Sequence, residues 1–109
     1  MEQPNLNYIN NLSGDDMAFK QLIISTLKKE LPLEINEYHS KIENNCFTGT
    51  AEIIHKIKHK ISIMGMEKSY YLAEEFEISL KKQSVAFKEV LKVEFDEILS
   101  TMQDFVDSL

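Results

Sequence analysis

The 109-residue chain has no arginine and no tryptophan, a single cysteine, three glycines and two prolines. Each scarcity excludes something. One cysteine cannot form an internal disulfide, and Cys46 with three histidines makes no zinc-finger framework. All 12 basic residues are lysine against 18 acidic ones, for a net charge of -6. Sequence-reading nucleic-acid modules rely on arginine forks and a positive field, so nucleic acid is not an expected partner. So few glycines and prolines leave little opportunity to turn the chain, which favours a few long helices over many short strands. No apolar run approaches the roughly 20 residues of a membrane span, and the polar start Met1-Glu2-Gln3-Pro4-Asn5 lacks the basic and apolar regions of a signal peptide. The expectation is a cytoplasmic protein without membrane contact. What is present, 43% apolar and 28% charged residues, suits one globular domain over 1–109.

The apolar residues recur with helical spacing almost throughout. Leu6, Ile9 and Leu12 predict a short leading helix. Ser13-Gly14-Asp15-Asp16 reads as the next start, with Ser13 as the capping hydroxyl. Ile24, Leu27, Leu31, Ile35, Tyr38 and Ile42 then form one stripe that passes through Pro32, which predicts one bent helix rather than two. A third stripe, Phe47, Thr50, Ile54, Ile57, Ile61 and Met64, predicts a helix capped by Asn44 or Asn45 and ended by Gly65. Met66, Tyr70, Ala73, Phe76 and Leu80 mark a fourth. Phe87, Leu91, Ile98, Met102, Phe105 and Leu109 mark a fifth, widened by Val90, Phe95 and Val106. The predicted fold is all-α: an up-down four-helix bundle with a short additional N-terminal helix as a lid.

The third stripe also places a histidine away from the core. At about 100° per residue, His55 falls roughly 150° from the centre of the isoleucine face. Ala51 lies one turn before it, Lys58 and His59 one turn after, and Ser62 two turns after. A neutral imidazole, with an unperturbed pKa of about 6.5, is a competent nucleophile near pH 7. In-line phosphoryl transfer needs such a group exposed and flanked by low relief. Lys58 is placed to meet phosphoryl charge, and Ala51, His59 and Ser62 are placed on a docking face. His55 and His59 are also spaced to share a metal, but no cysteine is near in sequence to join them, so no metal site is expected. The run His55-Lys56-Ile57-Lys58-His59-Lys60 is a local basic patch suited to steering an acidic partner. His39 is expected at the surface.

The pattern His55-x-Ile57-Lys58-x-x-x-x-x-Met64-Gly65 resembles the histidine phosphotransfer (HPt) domain family. The Gly14-Asp15 start, Pro32 inside the long helix, Phe47 eight residues before His55, and the Ala73-x-x-Phe76-Glu77 stretch extend the resemblance along essentially the whole chain. His59 departs from the pattern, since many members carry glycine or another small residue directly after the lysine. The resemblance implies a phosphoryl carrier in a multistep two-component phosphorelay, with His55 as phosphoacceptor between receiver-domain aspartates. The implied partners are response-regulator receiver domains and hybrid histidine kinases. Mg²⁺ would belong to the receiver, so no cofactor is expected on this chain. With no Gly-rich phosphate cradle, ATP-dependent kinase activity is not expected. The expected form is a stand-alone monomer. The competing expectation is a helical adaptor that docks receivers or other partners without being phosphorylated.

Overall fold

The computed structural model describes residues 2–82 and 88–109. Five helices follow in order: α1 (Asn7–Ser13), α2 (Met17–Glu43), α3 (Phe47–Ile63), α4 (Glu67–Lys81) and α5 (Lys88–Asp107), with no strand among the described residues. Helices α2 to α5 form an up-down bundle in which sequence neighbours pack on one another and α5 closes the ring against α2, while short α1 leans on α2. None of the described helices is long and apolar enough to cross a membrane.

The predicted stripes supply the core. Leu27, Leu31, Tyr38 and Ile42 from α2 meet Ile54, Ile57, Ile61 and Met64 from α3, Ala73, Phe76 and Leu80 from α4, and Ile98 and Met102 from α5. Tyr38, Phe76 and Phe95 meet edge to face, with centroids 5.1 to 6.4 Å apart, a geometry that adds quadrupole attraction to area burial. The Tyr38 hydroxyl donates to Asp96 Oδ1 at 3.2 Å, so the buried phenol is satisfied. Pro32 lies inside α2 without dividing it, as its unbroken stripe requires.

Several boundary expectations are corrected. Ser13 does not start α2. Its hydroxyl donates back to the Ile9 carbonyl in the last turn of α1, and Asp16 caps α2 by accepting from the Phe19 N–H at 2.9 Å. Asn44 and Asn45 belong to the end of α2 rather than the start of α3. Asn44 Nδ2 donates to the Ser40 carbonyl, Asn45 takes the left-handed conformation at φ 56°, and the residue before α3 is Cys46. Val90 is 62% exposed, so it does not widen the apolar face of α5, although Phe95 and Val106 do. Phe87 lies outside the described residues. Gly65 ends α3 as expected. At φ 74° it donates to the Ser62 carbonyl, and Met66 donates to that of Ile61, the paired bonds of a left-handed helix stop.

The cap of α4 comes from far away in sequence. The segment before α1 crosses the α3–α4 turn, held by the Asn5 N–H on the Met64 carbonyl at 2.9 Å. The Glu2 carboxylate then accepts from the Lys68 and Ser69 N–H groups at 3.0 and 2.8 Å. Burial pushes the Glu2 carboxyl upward, but those two backbone donors outweigh it and hold the group below its ordinary range. A depressed carboxyl contributes stability above its unfolded value of 4.5 and loses it as pH falls through the lower folded value. Glu2→Ala is therefore expected to cost about 1 kcal/mol in urea unfolding at pH 7. The difference from the parent protein should vanish in strong acid. An equal difference at pH 7 and pH 2 would mean that the carboxylate is not the cap.

Candidate functional site

Helix α3 turns two faces to two environments. Ile53, Ile54, Ile57 and Ile61 are buried, while His55, Lys56, His59 and Ser62 are exposed. The His55 side chain keeps 54% of its surface open to solvent. The imidazole of His59 stands beside it, and the ring centroids are 5.0 Å apart. Ser62, further along, lines an open groove with Asn5, Tyr8, Asn11 and Tyr70, so the α3 face is continuous with α1.

Two side chains from the sequence reading are placed otherwise. Ala51 is 1% exposed and belongs to the core. It offers no surface to a partner. Lys58 is 8% exposed and does not reach into solvent. Its Nζ lies 3.1 Å from Glu77 Oε1 and 5.3 Å from the centroid of the Tyr70 ring. The basic patch is likewise largely neutralised. Lys60 is paired with Glu30 and Glu34 at 3.0 and 2.8 Å. Burial works against the Lys60 charge, but the Glu34 and Glu30 bonds outweigh it and raise the ammonium above its usual range. Lys56 alone of the three lysines stands exposed. His39 is half-buried on α2, its ring against Tyr38.

The residue that organises the site is Glu77 on α4. Only 6% of its side chain is exposed, and it receives three partners. His55 Nδ1 lies 3.3 Å from both carboxylate oxygens. Lys58 approaches Oε1 at 3.1 Å and Lys81 approaches Oε2 at 2.8 Å. Burial, the largest influence on this carboxyl, pushes it upward. The hydrogen bonds from Lys81, Lys58 and His55, with the charge of Lys58, more than reverse that and hold it below its ordinary range. A carboxylate facing Nδ1 fixes the neutral ring as the Nδ1–H tautomer, which leaves the Nε2 lone pair free.

A signal for this pair was present in the sequence. Lys58 lies four residues after Ile54 and three before Ile61, and Glu77 lies four after Ala73 and three before Leu80. Opposite charges set inside the apolar stripes of successive helices must meet or remain unpaired. No cluster of three or more metal-ligating side chains occurs among the described residues. Neither a family model, nor a curated protein, nor a solved structure matches the chain.

Proposed function

We propose that this protein is a histidine phosphotransfer carrier whose His55 accepts a phosphoryl group from a receiver-domain aspartate and passes it to another. The observation that carries the reading is the Glu77–His55 contact on an exposed helix face: a buried carboxylate on Nδ1 and an open Nε2. In the forward step the Nε2 lone pair attacks phosphorus. The N–P bond forms as the P–O bond to the aspartate breaks, and the aspartate leaves as carboxylate with the bonding pair. The ring keeps its Nδ1 proton and becomes positively charged, and Glu77 offsets that charge without moving. The return step is the reverse. Mg²⁺ and most of the charge stabilisation belong to the receiver, and the relay operates in the cytoplasm, where such receivers would meet it. The exposed face of His55, His59 and Ser62 is the docking surface in this reading.

Lys58 then works through Glu77, keeping the carboxylate charged and aimed at the ring. Lys58→Ala is expected to cost about 2 kcal/mol of stability, the worth of a hydrogen bond to a charged group, and to slow transfer. Lys56→Ala, on an exposed side chain, should change neither by much. Equal slowing from both would replace the specific role of Lys58 with diffuse electrostatic steering. The direct test of function is incubation with a phosphorylated receiver domain. The expected product is a base-stable, acid-labile label on this chain. A docked complex without label would favour the adaptor reading.

A further inference from the structure

The exposed face of α3 carries a second imidazole that phosphoryl transfer does not use. The rings of His55 and His59 stand at 88° with centroids 5.0 Å apart. A metal–nitrogen bond points outward along the line from the ring centre, so each ring centre sits about 3.2 Å from a bound zinc ion, and two rings at a tetrahedral angle are about 5.2 Å apart. The observed spacing already lies close to that value. The His59 side chain is exposed, so turning its ring to aim a nitrogen disturbs no core packing, while His55 keeps Nδ1 on Glu77.

A second observation points the same way. Metal-bound histidines characteristically donate their other ring N–H to a carboxylate, which fixes the tautomer and strengthens the ligand. Glu77 occupies that position at His55 Nδ1, 3.3 Å away. On α3 itself the exposed Glu52 lies three residues before His55, and Glu77 reaches the ring from α4. Of the nearby positive charges that would repel a cation, Lys60 is held by Glu30 and Glu34, and Lys58 shares the Glu77 carboxylate with Lys81, while Lys56 stays exposed.

We propose that His55 and His59 form a two-nitrogen site for a borderline divalent transition-metal ion, Zn²⁺ or Cu²⁺, completed by water. Imidazole nitrogens suit these ions over Mg²⁺ or Ca²⁺, and a site with two protein ligands exchanges its metal readily. Binding uses the His55 Nε2 lone pair. That is the pair that attacks phosphorus, so metal and phosphoryl group exclude one another. The exclusion rests on the phosphotransfer reading, whereas the binding does not.

Calorimetric titration with Zn²⁺ alone tests the site. The intact protein should bind one ion, and His59→Gln should weaken binding by at least about tenfold, because a second tethered ligand multiplies the affinity of the first. Ring-nitrogen NMR should show His55 Nε2 and a His59 nitrogen shifting together while His39, on α2, stays still as an internal control. Equal affinity in the two proteins, or His55 and His59 signals unmoved by zinc, would overturn the site. In a separate arm, zinc should slow labelling by a phosphorylated receiver in the parent protein, but not in His59→Gln measured against its own zinc-free rate. Binding without such protection would retain the metal site and overturn the exclusion. Absence of labelling even without zinc would overturn the phosphotransfer reading and leave the binding result standing.

Discussion

If His55 carries the phosphoryl group as proposed, His55→Gln is expected to abolish acceptance and leave the fold almost untouched, the largest functional effect expected of any single substitution. Glutamine offers no nitrogen lone pair that can attack phosphorus. Its amide N–H can still donate to Glu77, which also keeps Lys58 and Lys81. With the side chain 54% exposed, the stability change should be within about 0.5 kcal/mol. Circular dichroism on heating would show a shift of no more than about 4 °C. Acid-labile label persisting in the variant would move the acceptor elsewhere, and His59 is the residue to test next.

Glu77 should produce the largest effect on stability. Glu77→Ala removes the carboxylate that compensates a lysine only 8% exposed. Breaking a buried pair from one side costs about 3 kcal/mol, because the remaining charge is stranded. The melting temperature should therefore fall by more than about 10 °C. Glu77→Gln separates this from chemistry. The amide retains one oxygen for Lys58, but its NH₂ facing Nδ1 favours the opposite tautomer, with the proton on Nε2. Transfer should slow at least about tenfold while much of the stability is regained. Equal transfer rates in Glu77→Gln and the parent would show that the carboxylate is structural only. The pH dependence has a definite sign. Because the Glu77 carboxyl is held below its ordinary value of 4.5, its contribution is complete above that pH and is lost as pH falls through the lower folded value. Denaturant unfolding should show the parent converging on Glu77→Ala in acid, and parallel curves would exclude the ion pair as the source.

The helices were legible because their apolar residues repeat every three or four positions, and that repeat survives whatever the helix packs against. Leu27 to Ile42 and Ile54 to Met64 read directly as the buried faces that the structure shows. Helix ends were harder. Ser13 and Asp16 are both good capping residues, and nothing local decides between them. The choice rests on Ser13 finding the Ile9 carbonyl in the last turn of α1. His55 was recognisable as an exposed residue from its own helix. Its partner was not, because Glu77 lies 22 residues away and meets it only after α3 and α4 have packed. The same tertiary contact explains Lys58. Its place between Ile54 and Ile61 marks it for burial, but only the packing of α4 supplies the Glu77 carboxylate that makes it half of an ion pair.

The turn at Gly65 has a consequence for the order in which the molecule assembles. The described contacts of His55 and Lys58 with Glu77 all lie within one antiparallel hairpin, whose helices are joined by three residues, Met64 to Met66. Closing so short a connection loses little chain entropy, and contacts close in sequence form early and quickly. The long-range closure of α5 against α2 and the crossing of the Glu2 segment over α4 span much more of the chain. The α3–α4 hairpin is thus expected among the early steps of assembly, and the side chains that define the site come together within it rather than through the long-range closure of the bundle.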